Sequence, residues 1–366
     1  MASKRLKKKH SKQLKSCPLC GDLLPADSSE YVIGKTGRAV CLRCLKVSRT
    51  ILELPEIEHK SPLSTSVMSP QSMIEELNKS IVGQENAKQA VSVLLWKQML
   101  RAQGINVPKS GLLLYGPTGC GKTALVREAA RIADIPFLAA DATTLTEAGY
   151  RGRDAQDIIV DLVERHGLDR AKYAVIFLDE VDKLAADRYN EHRASYSRGT
   201  QHSLLKLIEG TEVRADGTMF STENIVFVYG GAFTALREER SLNRVHRSIG
   251  FERTVSYERT PNQELVPNDF IRYGMEAELM GRIGRCVPLH ALDADDLRRI
   301  LTASNLSVYR QYQRFFGSYG QPLEMSESEI ETLIGKALDR GMGARGLNAL
   351  VEEWVQPKLL QLTKGA

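Results

Sequence analysis

The segment at 116–123 carries the clearest sign of chemistry in the chain, because it matches the pattern G-x4-G-K-[ST]. It follows a short apolar run and precedes an amphipathic stretch, which is the strand-to-helix context of a phosphate-binding loop. In such a loop the backbone N–H groups face the phosphates, Lys122 contacts their oxygens and the Thr123 hydroxyl binds Mg²⁺. The pattern predicts a nucleoside triphosphate site formed by Gly116, Pro117, Thr118, Gly119, Cys120, Gly121, Lys122, Thr123 and Ala124.

A second candidate lies at the end of the apolar run 175–178, which Asp179 and Glu180 follow directly. Ligands of open α/β sheets bind at the carboxyl ends of the strands. At such an end Asp179 can enter the Mg²⁺ shell, and Glu180 can polarise a water for attack on the γ-phosphate. Together with the loop at 116–123, this pair predicts hydrolysis of the nucleotide.

Four of the six cysteines form two CxxC pairs, Cys17 with Cys20 and Cys41 with Cys44, with 20 residues between the pairs. Each pair offers two sulfur donors, and two pairs at this distance are typical of a tetrahedral zinc site. Two disulfides are the alternative, which an intracellular chain disfavours. Few apolar residues lie between the pairs, so we expect metal binding to supply much of the folding free energy of this unit.

The elements that must position these residues alternate between apolar runs and amphipathic stretches. Strands are predicted at 110–115, 136–139, 173–178 and 224–229. Helices are predicted at 85–102, 122–133 and 154–166. Strands that alternate with helices form a parallel sheet covered on both faces, so the predicted fold class is α/β.

The C-terminal part of the chain is predicted to be mainly helical. One helix is expected over 293–316, with Asp293 as its N-cap. Ser326 and Glu329 have the spacing of a capping box that opens the next helix, and the last helix is expected at 344–362.

Composition and charge divide the chain into five parts. Residues 1–15 contain seven of the 50 Lys and Arg residues and no acid, so the other 43 face 45 acidic residues. A block of this kind is typical of a solvated, disordered arm, with nucleic-acid contact as the alternative. The predicted parts are a basic arm at 1–16, a zinc-binding unit at 17–50, a linker at 51–70, a large ATPase domain at 71–288 and a small helical domain at 289–366.

The chain contains no run of about 18 apolar residues, which excludes a membrane-spanning helix. Its basic N-terminus is not followed by an apolar stretch, so it does not have the pattern of a secretory signal. We therefore expect a cytoplasmic protein that has no membrane partner.

Further motifs carry a resemblance to a known family. They lie at 145–152 (LTEAGYRG), 178–183 (LDEVDK), 203–211 (SLLKLIEGT), 230–233 (GGAF) and 343–347 (GARGL). With the phosphate-binding loop and the CxxC pairs, they make the chain similar to the ClpX family of AAA+ unfoldases, from Cys17 to the last helix. The resemblance implies a P-loop AAA+ large domain, a small helical domain and an N-terminal zinc module, with ATP, Mg²⁺ and Zn²⁺ as cofactors.

The resemblance also implies roles for residues outside the nucleotide motifs. Ile81 and Val82 match the segment that packs on the adenine. Arg282 matches the arginine finger, which reaches the nucleotide of the neighbouring subunit, and it is expected to join Lys122 and Glu180 in catalysis. Arg345 matches the sensor-2 arginine, which contacts the phosphates from the small domain.

Two more segments match parts of the family that contact other proteins. Tyr150 and Arg151 match the aromatic pore loop that grips the substrate. The tripeptide that docks on the ClpP peptidase is matched by Ile249, Gly250 and Phe251. The resemblance thus implies a homo-hexamer that acts on protein substrates, with a ClpP-type peptidase and an adaptor at the zinc module as possible partners.

Three departures from the family keep alternatives open. Arg151 stands where the family usually has Val. The segment at 211–225 is short and has only Arg214, where the family has a long loop with an Arg-Lys-His cluster. Glu252 and Arg253 follow the docking tripeptide in place of small residues. An unfoldase that feeds a peptidase is the leading hypothesis. The alternatives are a remodelling chaperone without a peptidase and a nucleic-acid-associated AAA+ motor.

Overall fold

The computed structural model describes residues 15–20, 23–24, 31–33, 39–41, 44, 67–146, 153–186, 191–241, 244–246, 255–257 and 264–362. The chain divides into two compact units, Met1–His59 and Lys60–Ala366. The strands described in the first unit are β1 (Lys15–Ser16), β2 (Leu23–Leu24), β3 (Tyr31–Ile33) and β4 (Ala39–Cys41). They form two antiparallel pairs, β1 with β2 and β3 with β4.

The second unit contains the predicted alternation of strands and helices. The strands described there are β5 (Leu112–Tyr115), β6 (Phe137–Asp141), β7 (Leu145–Thr146), β8 (Arg153–Asp154), β9 (Val175–Asp179), β10 (Glu212–Ala215), β11 (Thr218–Ser221), β12 (Val226–Gly231), β13 (Arg244–His246), β14 (Val255–Tyr257) and β15 (Arg285–Pro288). The helices are α1 (Pro70–Asn78), α2 (Glu85–Ala102), α3 (Lys122–Ile132), α4 (Asp157–His166), α5 (Leu168–Ala171), α6 (Glu191–Glu209), α7 (Thr234–Ser241), α8 (Pro267–Tyr273), α9 (Ala277–Ile283), α10 (Ala294–Thr302), α11 (Val308–Ser318), α12 (Glu327–Arg340) and α13 (Gly343–Leu362). Helix α1 begins at Pro70, the last residue of the predicted linker.

Five parallel strands form the central sheet, in the order β15-β5-β12-β9-β6. Alternate residues of each strand enter two different cores. Leu113 and Ile176 pack with α4, α6 and α9 on one face, whereas Leu112 and Val175 pack with α1, α2 and α3 on the other. Helices on both faces explain why the three inner strands, β5, β12 and β9, are continuous apolar runs. The α/β class and its parallel sheet are confirmed.

The sequence does not predict the fifth strand, β15. It is short, contains Arg285 and Pro288, and has no apolar run. It lies at the edge of the sheet and pairs only with β5 among the strands described there. An edge position tolerates proline, because one side of the strand needs no partner.

The C-terminal helices pack around a third core, which includes Leu297, Leu333 and Leu350. The expectation of one helix over 293–316 is wrong, because the chain forms two helices, α10 and α11. Between them the Ser304 hydroxyl donates to Ser80 O at 2.5 Å, and Ser307 caps α11.

Both N-terminal signals predicted for the C-terminal helices are confirmed. Asp293 caps α10 in a capping box with Asp296, and Ser326 caps α12 in a capping box with Glu329. Each box satisfies N–H groups that the first helical turn leaves unpaired.

Within the ranges given above, no helix combines the length and the apolar character needed to cross a bilayer.

Candidate functional site

The phosphate-binding loop connects the end of β5 to the start of α3, as its motif predicts. Gly119 and Gly121 adopt the left-handed backbone conformation, with φ of 78° and 101°. At Gly119 space is also limiting, because a Cβ atom there would lie 2.0 Å from Met342 O. Only glycine fits this position.

The Lys122 side chain is buried inside the loop. Its Nζ donates to Gly116 O at 2.8 Å and to Pro117 O at 2.9 Å. These contacts hold the ammonium group at the N-terminus of α3, where backbone N–H groups and the helix dipole also favour a bound anion. Burial raises the pKa of the neighbouring Cys120 thiol, so this cysteine is a neutral filler at neutral pH.

The two residues predicted to hold Mg²⁺ are in direct contact. Thr123 Oγ1 donates to Asp179 Oδ2 at 2.8 Å, and Glu180 N donates to Asp179 Oδ1 at 3.0 Å. A hydroxyl and a carboxylate are the hard oxygen donors that Mg²⁺ prefers, so this pair fits the ion. Glu180 is exposed beside it and has a positive φ of 58°.

Gly230 at the end of β12 leaves room for the Asp179 carboxylate, because β12 lies between β5 and β9. A Cβ atom on Gly230 would lie 3.0 Å from Asp179 Oδ1, and Gly231 O accepts from Gly116 N at 3.1 Å. The buried Asp182 continues the connection, since its Oδ1 accepts from Ala232 N at 3.1 Å.

The C-terminal helical part contacts the phosphate-binding loop directly. Ala344 N at the start of α13 donates to Gly119 O at 3.1 Å. Arg345, the sensor-2 candidate, is the next residue, and its side chain is exposed.

The predicted adenine segment lies at the junction of the same two parts. Ile81 is buried and Val82 is half-buried. Gln84 Nε2 donates to His290 O at 2.9 Å, and Gln84 Oε1 accepts from His290 N at 3.0 Å. These reciprocal bonds tie the segment to the residues that lead into α10.

Arg282 does not join the other predicted site residues. It lies beside Gly111, which precedes β5, whereas the phosphate-binding loop follows β5. The four residues of β5 separate these ends by about 13 Å. Arg282 Nη2 pairs instead with Glu209 Oε1 at 2.6 Å, in a cleft of about 300 Å³ that Arg101, Lys109 and Tyr229 also line.

Several predicted site residues lie outside the described part of the chain. They are Tyr150, Arg151, Ile249, Gly250 and Phe251. The strands on either side of these segments are described: β7 pairs with β8, and β13 pairs with β14.

In the first unit, the Sγ atoms of Cys17, Cys20, Cys41 and Cys44 all lie within 4.8 Å of one another. None of them forms a disulfide. Cys41 N donates to Cys17 Sγ at 3.5 Å, and this bond is the largest of the contributions that lower the pKa of the Cys17 thiol to about 6. A thiolate is the form that binds metal, and four clustered sulfur donors fit a tetrahedral zinc ion.

Sequence reasoning did not single out Asp182, Glu209 or the two glycines of β12 as site residues. All four lie inside motifs that carry the family resemblance, at 178–183, 203–211 and 230–233. Their place inside these motifs was the signal that the sequence offered. The contacts of these residues could not be predicted from it, because they depend on the order of the strands in the sheet.

Comparisons with known proteins agree with this geometry. Residues 107–286 match the family model described as AAA domain (Cdc48 subfamily), and residues 292–364 match that of the C-terminal, D2-small domain of ClpB protein. The ATP-dependent Clp protease ATP-binding subunit ClpX of Treponema denticola is 32% identical over 92% of this chain and 87% of its own length. ClpX 2 of Wolinella succinogenes is 32% identical over 94% and 91%, and ClpX of Azotobacter vinelandii is 32% identical over 94% and 86%.

Proposed function

Because the chain belongs to the ClpX family of ATP-binding Clp protease subunits and is an ATPase, we propose that it threads protein substrates through the pore of a ring and delivers them to a ClpP-type peptidase. The observation that carries the ring is the position of Arg282, at the opposite end of β5 from the phosphate-binding loop of its own chain. An arginine finger there serves a neighbouring subunit, so each site is complete only in a closed assembly.

Within each site, the residues of one chain bind and orient the nucleotide. Lys122 and the backbone of the loop hold the phosphates, while Thr123 and Asp179 hold Mg²⁺, which neutralises phosphate charge when bound. Glu180 accepts the proton of the attacking water. Ile81 and Val82 line the adenine pocket, and Arg345 contacts the phosphates from the start of α13.

The remaining roles are proposals that follow from the family. Six subunits form the ring, and Tyr150 and Arg151 line its pore. Ile249, Gly250 and Phe251 dock on the peptidase. The four clustered cysteines bind Zn²⁺, and their unit is the attachment point for an adaptor.

A specific observation favours a second candidate function, remodelling without a peptidase. Between Thr211 and Ile225, where the family has a long basic loop, the chain forms the tight hairpin β10–β11, with Asp216 and Gly217 in its turn. Only Arg214 on this hairpin is basic. The chain therefore lacks the basic loop with which the family recognises the usual degradation tags. The alternative is that its substrates are remodelled and released rather than degraded.

One experiment tests the ring and the fate of its substrates. Glu180→Gln subunits are mixed with Arg282→Ala subunits, and ATP hydrolysis and unfolding of a fluorescent substrate are measured with and without a barrel peptidase. Recovery of hydrolysis on mixing supports action in trans, and no recovery would contradict it. Substrate that is unfolded but never degraded, with no peptidase bound, would favour the remodelling candidate.

A further inference from the structure

Gln201 is a fully buried glutamine in the middle of α6, and all its polar atoms are engaged. Its Nε2 donates to Leu184 O at 2.8 Å and to Gly274 O at 3.3 Å. Its Oε1 accepts from Glu276 N at 2.8 Å. One side chain thus connects two segments that are about 90 residues apart in the chain.

The first of these segments belongs to the hydrolytic site. Leu184 ends the 3₁₀ helix Val181–Leu184, which follows Glu180 without a break. Lys183 N donates to Glu180 O at 3.0 Å, so the helix is tied to the residue proposed to activate water. A shift of Glu180 therefore reaches Leu184 through one short, hydrogen-bonded turn.

The second segment leads to the arginine finger. Glu276 is the N-cap of α9, and this seven-residue helix carries Arg282 in its last turn. The Glu276 side chain does not cap α9. The start of this helix is held by the bond from Glu276 N to Gln201 and by an ion pair at 3.8 Å between Glu276 and Arg198, another residue of α6. Gly274 adds a close contact, since a Cβ atom there would lie 2.6 Å from Ala186 O.

Helix α6 also contacts the other end of α9. Glu209, the last residue of α6, pairs with Arg282 at 2.6 Å. Gln201 and Glu209 are eight residues apart, or about 12 Å along α6, and Glu276 and Arg282 are about 9 Å apart along α9. Together these two contacts hold both the start of α9 and the guanidinium at its end.

We propose that α6 positions Arg282 for the neighbouring subunit through Gln201 and Glu209, and that Gln201 couples this arginine to the Glu180 segment of its own site. The inference rests on the proposed role of Arg282 in trans. Gln201 and Glu209 are positioning residues, because they act through Arg282 and are not among the residues proposed to hold the nucleotide. The consequence is that the state of one site alters the finger that the same subunit offers to the next site.

The test begins with Gln201→Met, which keeps the volume of the side chain and removes its hydrogen bonds. A misplacement of about 1 Å in a catalytic group costs about 100-fold, so we expect ATP hydrolysis to fall by about 100-fold with ATP binding retained. Gln98→Met is the matched control, because Gln98 is also fully buried and its Nε2 donates to a carbonyl, Asn224 O, at 2.6 Å.

Mixed rings separate this proposal from a structural role. Glu180→Gln subunits supply a well-placed Arg282 to Gln201→Met subunits, which keep their own Glu180. Hydrolysis per Gln201→Met subunit should rise at least about tenfold on mixing. Any activity that Gln98→Met loses should not return, since a general loss of stability cannot be restored by a neighbour.

Arg282→Ala subunits, mixed in parallel, separate the two possible failures. If Arg282→Ala is rescued and Gln201→Met is not, Gln201 acts only in its own site and the inference is overturned. If neither is rescued, the action of Arg282 in trans is itself wrong. If Gln201→Met does not bind ATP, the Glu209→Ala variant decides between the outcomes. An ATP hydrolysis rate that falls by about tenfold and is restored by mixing supports the inference. A wild-type hydrolysis rate in Glu209→Ala overturns it.

Discussion

At the residue scale, the candidate site is organised around the carboxylate of Asp179. One oxygen accepts from the Thr123 hydroxyl and the other accepts from Glu180 N. Each carboxylate oxygen has two lone pairs, so both oxygens keep one for a metal ion. The carboxylate therefore fixes the hydroxyl and the backbone of Glu180 while remaining able to bind Mg²⁺.

The Glu180→Gln variant tests the role of the neighbouring carboxylate. A carboxamide has the same shape but cannot accept the proton of the attacking water, so kcat for ATP should fall by about 1,000-fold. ATP binding should persist, because Lys122 and Thr123 are unchanged. Phosphate release and the binding of a fluorescent ATP analogue measure the two effects. Glu212→Gln, at an exposed position on β10, is the control and should hydrolyse ATP at the wild-type rate. If Glu180→Gln keeps more than a tenth of the wild-type rate, the assignment of Glu180 is contradicted.

Some site residues could be predicted from the sequence because a motif in their immediate neighbourhood marks them. Others were missed because no nearby residue pattern does. The approach of Thr123 and Asp179 could be predicted, because Thr123 belongs to the loop motif that follows one recognisable strand and Asp179 ends another. Arg282 could be found only through the family resemblance. Gln201 had no local signal, since one polar residue in a helix is usually exposed and its burial depends on α9 packing against α6.

At the scale of elements, the apolar runs were sufficient to predict four of the five strands in the central sheet. Strand β15 was not predicted because it has no apolar run of its own, and its pairing partner β5 lies about 170 residues earlier in the chain. The break between α10 and α11 escaped for a similar reason. Ser304 bonds to Ser80 O, a partner more than 200 residues away in the chain, and local periodicity cannot report such a contact.

Glu329 tests how α12 and α13 are held together. Trp354 Nε1 donates to Glu329 Oε1 at 2.8 Å, and Ser326 N and Oγ donate to Oε2 at 2.8 and 2.7 Å. These bonds lower the pKa of Glu329 from 4.5 to about 2. Because the pKa is lower in the folded state, the stabilisation is complete above pH 4.5 and is lost as the pH falls towards 2.

We expect Glu329→Gln to lower the free energy of unfolding of the helical C-terminal part by about 1 kcal/mol at pH 7. The difference from wild type should shrink between pH 4.5 and pH 2. Urea unfolding followed by Trp354 fluorescence in a Trp96→Phe background measures this part alone. Glu324→Gln is the exposed control, and a difference that does not change with pH would contradict the assignment.

At the scale of the whole molecule, the cysteine unit and the ATPase unit have separate sources of stability. The described part of the first unit has very short strands and four clustered thiols, whereas the second unit has three apolar cores. The segment predicted to bind zinc, residues 17–50, is shorter than about 40 residues, the length below which folding usually needs a metal or disulfides. We therefore expect this segment to depend on zinc for its folding in a way that the second unit does not.

Metal removal tests this division. We expect one zinc ion per chain, released when the thiols are modified and measured with a metal-binding dye. Cys41→Ser should abolish the zinc, while Cys286→Ser, which changes a cysteine outside the cluster, should retain it. ATP hydrolysis by a truncated chain of residues 65–366 should stay within about twofold of the full chain, since all four clustered cysteines lie in the first unit. Loss of hydrolysis on truncation would contradict the division.

The last prediction concerns how the proposed ring would select its substrates. A pore loop has to push on any polypeptide, and the aromatic ring of Tyr150 offers a large, rigid contact for this. Tyr150→Ala should therefore stop translocation while ATP hydrolysis continues. In a hexamer Arg151 would add up to six positive charges at one level of the pore. Clustered like charges in a narrow channel produce a strong local potential, so the ring should favour acidic segments over basic ones.

Matched substrates with acidic and basic leading tails measure this preference through their unfolding rates. The preference for acidic tails should weaken as salt rises, because the Debye length falls from about 30 Å at 0.01 M to about 8 Å at 0.15 M. Arg151→Val should remove it, whereas Arg314→Val, an exposed arginine on α11, should leave it intact. If the preference survives Arg151→Val unchanged, the charge at this position does not select substrates. Arg151 would then only stiffen its loop, for example by pairing with Glu147 or Asp154.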